Sequence, residues 1–231
     1  MGLDLYADIE PLLGFDEEVR RLYGIYLDVL ESWKPRRLID VGCGNGAFLA
    51  EAVDRLKLER GYGVDLSEKM VARARERGVE AEATDLCDVE GTFDAATAVF
   101  DVLNYLPPEA LPRFLGCVAD VLENGGVFVA DVNTLFGFEE VAPGTLVRET
   151  TTGFLSLDAE FDGRELLTRI DFFEREEGER YRRRSDAIRQ YYHPVESIAQ
   201  MCERLELSQS YPVAMYGEEA DKELLLFRKR R

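Results

Sequence analysis

Along this chain, short apolar runs alternate with stretches in which apolar residues recur every three to four positions. From Asp16 onward, Val19, Leu22, Tyr23, Tyr26, Val29 and Leu30 share one face and predict a helix, with Asp16 placed to cap it and Trp33 and Pro35 ending it. Leu38-Ile39-Asp40-Val41 then reads as a strand, Gly42 to Gly46 as a glycine turn, and Phe48, Leu49, Ala52, Val53 and Leu56 as the buried face of a second helix. The unit repeats: Tyr62-Gly63-Val64-Asp65 is a strand, and Ser67 caps a helix that Gly78 stops. Val79 to Thr84 and Phe93 to Phe100 are the next strands. A helix carrying Leu111, Phe114, Leu115, Val118 and Leu122 is ended by Gly125-Gly126, and Val127 to Val132 is the fifth strand. Strands alternating with helices require a mostly parallel sheet covered on both faces.

After Asn133 the period changes to two. Thr145 to Tyr192 alternates polar and apolar residues, through Leu155, Leu157, Ala159 and Phe161 and again from Leu166 to Phe173, with Asp162-Gly163 as a hairpin signal between the runs. This predicts an antiparallel β insertion over 135–192 within a core formed by 1–134 and 193–231. The insertion is either a substrate lid or a dimer surface. Its aromatics Phe172, Phe173, Tyr181 and Tyr191 suit a pocket, the back of a small sheet or a dimer face equally. His193-Pro194 starts a helix through Leu205, and two strands follow near Ser208 to Met215 and Glu223 to Arg228.

Composition narrows the chemistry. The 231 residues suffice for one domain with an insertion. No apolar run approaches the roughly 20 residues that span a bilayer, and the acidic start, Met1 to Glu10, does not resemble a signal peptide. The expectation is a cytoplasmic protein without a membrane partner. The four cysteines, Cys43, Cys87, Cys117 and Cys202, lack a Cys-x-x-Cys pair, which argues against a disulfide framework or a zinc site. A single histidine removes mechanisms that need two, so no metal is expected. With 28 basic against 46 acidic residues the net charge is −18, which repels nucleic acid. The arginines at 180–184 and 228–231 read as a solvated face and a frayed tail.

In an open parallel sheet, ligands lie beyond the carboxyl ends of the strands. The polar residues of interest fall there: the glycine turn, Asp65, Asp85, Phe100 to Tyr105, and Asp131 to Asn133. Gly42, Gly44 and Gly46 let the backbone turn sharply and let a ligand touch it. Asp65 stands about 20 residues further on, where a carboxylate accepts from ribose hydroxyls. Gly42, Gly44 and Ala47 also satisfy a dinucleotide fingerprint, so residue types alone leave two nucleotides open.

The run Leu38 to Gly46 resembles the first motif of the class I (Rossmann-like) S-adenosylmethionine-dependent methyltransferases, with an acid two residues before the first glycine. Gly63 to Ser67 with Met70, Asp85-Leu86, Phe93-Asp94, Phe100 to Leu106, and Leu122 to Gly126 followed by Val127 to Asp131 resemble its later segments in order. The resemblance implies a three-layer α/β Rossmann-like methyltransferase fold with a seven-stranded, mostly parallel sheet whose last strand is antiparallel, plus the antiparallel insertion after strand five. It implies that Asp65 holds the ribose of S-adenosylmethionine and Asp85 the adenine amino group, with Leu66, Met70 and Leu86 on the ring. The turn residues Gly42, Cys43, Gly44 and Gly46 and the Phe100 carbonyl would hold the methionine end, Asp40 would brace the turn or reach that end through water, and Tyr6 would face the cofactor or simply pack.

Methyl transfer from a sulfonium needs placement above all, with a base only if the nucleophile arrives protonated. Asp101, Asn104 and Tyr105 stand nearest the expected methyl position. His193 is a turn residue, a base or a substrate contact. The implied reaction methylates an oxygen or nitrogen of a small-molecule acceptor, leaving S-adenosylhomocysteine, with a homodimer as an option. Three rivals stay open: an NAD(P)-dependent oxidoreductase, a non-catalytic S-adenosylmethionine-binding protein, and an RNA methyltransferase disfavoured by the charge.

Overall fold

The computed structural model describes residues 3–177 and 180–231. Its centre is a seven-stranded sheet of β1 (Arg37–Val41), β2 (Arg60–Asp65), β3 (Glu80–Ala83), β4 (Phe93–Ala98), β5 (Leu122–Asn133), β10 (Leu205–Val213) and β11 (Lys222–Lys229), in the order β10-β11-β5-β4-β1-β2-β3. All neighbours pair in parallel except at β11, which runs antiparallel between β5 and β10. The sheet is thus mostly parallel with an antiparallel last strand. A second sheet, β6 (Gly144–Glu149), β7 (Gly153–Phe161), β8 (Glu165–Arg175) and β9 (Tyr181–Tyr191), is antiparallel throughout.

Burial follows from the apolar periods. Helices α2 (Asp16–Trp33) and α3 (Ala47–Leu56) set Leu22, Tyr26, Leu30, Phe48 and Leu49 on one sheet face against Leu38, Val127, Val129 and Leu226. Helix α5 (Leu111–Val121) covers the other face with Leu111, Leu115 and Val118 on Ile39, Phe128 and Phe227, joined by Ile198 of α6 (Val195–Gln200). Helix α4 (Glu68–Glu76) packs Val71 and Ala74 beside the glycine turn, and its cap is Ser67, whose hydroxyl accepts from the Met70 amide at 3.3 Å. Burying such side chains is worth roughly 1.5–3 kcal/mol each, so the sheet and its helices set the rigid frame for everything at the rim.

Several expectations need correction. Asp16 is the first helical residue and not a side-chain cap, since α2 begins directly after Phe15. It still favours the helix start through its charge. Leu122 leaves α5 and opens β5, because its extended backbone (φ −85°, ψ 145°) lets the strand pair with Phe93. The helix after His193-Pro194 stops at Gln200, well short of Leu205, which already pairs with Lys229. The basic end is not frayed: Arg228 lies over the Trp33 ring at 5.6 Å and Lys229 remains in β11. The opening residues, unassigned from the sequence, form α1 (Leu3–Ile9). Finally, Cys87 and Cys117 form a disulfide, Cα to Cα 5.0 Å, joining the turn after Asp85 to α5. Their wide spacing in the chain carried no sign of it, because the sheet brings them together.

No helix among the described residues is long and apolar enough to cross a membrane. Nor do three His, Cys, Asp or Glu side chains among them gather as a metal cage.

Candidate active site

After β1 the backbone turns through Gly42, Gly44 and Gly46, all left-handed. The amides of Gly42 and Cys43 donate to the Val64 carbonyl at 2.8 and 3.0 Å, fastening the turn to β2. Gly46 is required by packing, since a Cβ there would lie 2.7 Å from Val79 and 2.9 Å from Ala74. Gly44 differs: an added Cβ would meet nothing within 4 Å, so its backbone borders open space. Cys43 points into the fold, against Gly63 and α4, and offers the rim only its backbone.

The other residues expected at a cofactor lie at or just past the ends of β1, β2 and β3. The Asp65 carboxylate accepts from the Gly44 amide at 2.9 Å and the Ser67 amide at 2.8 Å, one bond per oxygen, which leaves lone pairs for a ligand. Leu66 beside it is 65% exposed, while Met70 and Leu86 are buried. Asp85 accepts from the Cys87 amide at 2.9 Å and lies 3.6 Å from Arg113 of α5. Asp40 is buried under the turn and accepts a hydrogen bond from the Thr97 hydroxyl at 2.7 Å. Burial pushes its carboxyl up to about 7 against the Thr97 bond, with Asp65 adding to the rise.

At the end of β4, Phe100 and Asp101 are both left-handed (φ 63° and 49°), a conformation that costs roughly 1–2 kcal/mol per non-glycine residue. Asp131 of β5 offsets the cost: its carboxylate accepts from the Phe100 amide at 2.7 Å and the Asp101 amide at 3.0 Å. The Tyr26 hydroxyl approaches the same carboxylate at 2.6 Å. The Lys222 ammonium reaches Asp101 at 2.6 Å, Asp131 at 2.9 Å and the Asn133 amide oxygen at 2.8 Å. The two aspartates raise its pKa over the opposing effect of burial, so it stays charged. Gln190 of β9 also donates to Asp101.

The second sheet and α1 close over this rim. The inner face of the sheet, with Leu155, Ile170, Phe172 and Ile188, packs on Leu5, Ile9 and Leu13, with Tyr6 and Tyr105 at the edge of the cluster. Phe173 is on the opposite face, against Phe154, and Tyr181 is exposed, so the insertion aromatics divide between two faces. Asp8 of α1 binds Lys69 and Arg73 of α4 and Arg184 of β9. Partial burial works to raise the Asp8 pKa, but the bonds from Lys69 and Arg184 prevail and hold it below the usual range. Tyr6 is half-buried, and burial, with Glu10 and Asp101 adding, pushes its phenol up. Tyr105 is pushed up by burial and then by Tyr6 and Asp101.

Two residues expected near the chemistry have their polar atoms engaged elsewhere. Asn104 donates to the Tyr191 carbonyl at 2.8 Å and accepts from the Asn133 amide at 2.9 Å, clamping β9 to β5. His193 is buried with Nε2 2.9 Å from the Leu106 carbonyl oxygen, and burial lowers its pKa, leaving it neutral. Both hold the segment carrying Asp101 and Tyr105 in place.

Lys222, Gln190, Glu10 and Tyr216 lie outside the sequence motifs. Glu10, its pKa raised by burial, accepts from Asn45 beside the glycine turn at 3.3 Å, and Tyr216, pushed up to about 12 by burial, faces Lys222 and Asp101. Lys222 left one trace, a cation just ahead of the apolar run Leu224 to Phe227. Gln190 left none, because its position depends on the register of β9.

Comparison with known proteins bears on the fold. Residues 38–126 match the family model described as a methyltransferase domain. A ubiquinone biosynthesis O-methyltransferase of Paracidovorax citrulli is 30% identical over 139 residues, 56% of each chain. The chain spans about half the length of the curated relatives it matches. Among solved structures, an S-adenosylmethionine-dependent methyltransferase from Clostridium acetobutylicum superposes with a TM-score of 0.78 at 19% identity, covering 99% of this chain and 97% of the other. The sugar N-methyltransferase KedS8 from Streptoalloteichus gives 0.75 at 20% identity, covering 99% and 92%. These solved structures share the fold.

Proposed function

We propose that this chain, whose residues 38–126 match the methyltransferase-domain model, is a member of that family and transfers a methyl group from S-adenosylmethionine to an oxygen or nitrogen of a small-molecule acceptor. The observation that carries the reading is the open backbone at Gly44, joined to a carboxylate, Asp65, that retains acceptor capacity. When bound, S-adenosylmethionine supplies a methyl group already activated on a sulfonium.

The residues divide the remaining work. Asp65 grips the ribose, and Asp85 with Leu66, Met70 and Leu86 borders the adenine. The turn Gly42 to Gly46, Asp40 beneath it and the Phe100 carbonyl hold the amino-acid end. Tyr6 and Tyr105, under the second sheet, exclude water from the transfer point and flank Asp101, which orients the acceptor or takes its proton. Asn104 and His193 hold that segment in place.

Relatives named for O-methylation and for sugar N-methylation support both atoms as acceptors. The division into a core of 1–134 and 193–231 and a covering unit of 135–192 belongs to the same proposal, with the unit serving as a lid. So does a cytoplasmic location. Thiols there are kept reduced, and the Cys87–Cys117 disulfide stands against that location; thiol labelling of a cell extract decides, free cysteines supporting the cytoplasm and a bonded pair an oxidising compartment.

The direct test is calorimetry with S-adenosylhomocysteine and with NAD. S-adenosylhomocysteine is expected to bind and NAD not. Asp65→Ala should weaken the former by about 1.5–3 kcal/mol, the worth of a charged hydrogen-bond partner. Binding of NAD alone, or unchanged affinity in the folded variant, would remove the reading.

A further inference from the structure

Lys222 sits where strand register puts it. It lies directly across from Asn133 on the antiparallel β5–β11 pair, with Asp131 two residues along β5 on the same face. The side chain is 3% exposed and enclosed between two carboxylates. An ammonium has three protons to give and accepts nothing. All three are directed: to Asp101, Asp131 and Asn133. Asp131 in turn has four neighbours for its acceptor sites, the Tyr26 hydroxyl, the amides of Phe100 and Asp101, and Lys222 itself. No buried side-chain nitrogen or oxygen among the described residues lacks a partner.

We propose that Lys222 is a positioning residue of the methyl-transfer site: its ammonium locks the left-handed Phe100–Asp101 turn against Asp131 and leaves this buried cluster one negative charge in excess, to face a sulfonium. The inference rests on the function proposed above. Two carboxylates against one ammonium give the excess charge. Without the lysine, two carboxylates stand near one another in a poorly hydrated site with no cation between them, an arrangement that like-charge repulsion disfavours. The turn also loses the cation that draws Asp101 toward β5, so the Phe100 carbonyl and the Asp101 carboxylate cease to be held at the rim.

The other titratable groups facing the cluster do not substitute for the lysine. The phenols of Tyr6, Tyr26, Tyr105 and Tyr216 are all pushed up, foremost by burial, and stay neutral through the physiological range. Glu10 brings further negative charge, and Gln190 is neutral.

The test compares wild type with Lys222→Met, using S-adenosylhomocysteine, which is neutral at sulfur, and sinefungin, which carries an amine-bearing carbon at that place. The ratio of their affinities reports the field at the methyl position and cancels effects on the shared amino-acid tail. In wild type the ratio should stay level from pH 6 to 8. In the variant, S-adenosylhomocysteine should bind about tenfold more weakly, the scale of one charge-assisted contact, and the ratio should change with pH.

Independently of any ligand, the backbone amide resonances of Phe100 and Asp101 should shift in the variant. If Lys222→Met does not fold, Lys222→Gln, which keeps a donor without charge, carries the same expectations. A folded variant with affinity within twofold, a level ratio and unmoved amides overturns the proposal, as do moved amides with unchanged binding. If wild type binds neither nucleoside yet the amides move, the lock stands and the proposed function falls.

Discussion

Single side chains at the sheet rim are tuned by their surroundings, and Asp40 shows how. Folded, its carboxyl titrates near 7; unfolded, it returns to the ordinary carboxylate value near 4. Between those values the unfolded chain binds fewer protons, so stability contributed at this position falls as pH rises from about 4 to about 7 and then levels. The same ionisation helps a ligand ammonium, so affinity for S-adenosylhomocysteine should rise across pH 7. Asp40→Asn is expected to flatten both trends, read as thermal midpoints at pH 5 and 8 and as calorimetric affinities at pH 6 and 8. A variant that keeps the wild-type slopes would show that another group sets the pH dependence. The acid preceding the glycines was visible in the sequence, but its burial was not, because that depends on Thr97 from another strand and on the turn folding above it.

At the level of elements, the legible parts were those fixed by local chemistry. The period-two pattern from Thr145, the Asp162-Gly163 turn with Gly163 left-handed at φ 95°, and the Ser67 cap all appear where neighbouring residues dictate them. What escaped were connections between elements distant in sequence. Lys222 reaches Asp131, Gln190 reaches Asp101, and Cys87 reaches Cys117 only because strand order and register bring them together. The disulfide closes a loop with a sequence separation of 30 residues. Loop-closure entropy makes such a link worth about 3.5 kcal/mol. Reduction, or Cys117→Ser, should therefore lower the thermal midpoint by roughly 10 °C for a chain of this size. Because the bonded turn also carries Asp85, nucleoside affinity should fall with it. An unchanged midpoint on full reduction would mean that the unfolded chain gains nothing from release.

For the molecule as a whole, a net charge of −18 means that acidic surface repels acidic surface. Many surface ion pairs bind locally, such as Arg36–Glu59 and Arg60–Glu80, but exposed pairs of this kind contribute little. Self-repulsion should therefore dominate the salt response, and the thermal midpoint should rise between 20 and 500 mM sodium chloride as screening shortens to a few ångströms. A falling midpoint would show that the pairs matter more than the excess charge. The three-layer architecture was readable from alternating strands and helices, and the second sheet from its period. Its packing on α1 was not, since Tyr6 and Asp8 carry no pattern that points to β9.

The placement of β11 bears on how the groove is made. This strand inserts between β5 and β10 and brings Lys222, yet it follows every other strand in the chain. A nascent polypeptide that has released β1 to β5 has its glycine turn and Asp65, but the edge of β5 is bare and the Asp101–Asp131 pair lacks its cation. Pairing at such sequence separation is slow compared with local helix formation. Completion of the Asp101–Asp131–Lys222 cluster thus waits on β11, after the strands that flank the glycine turn and Asp65 have formed.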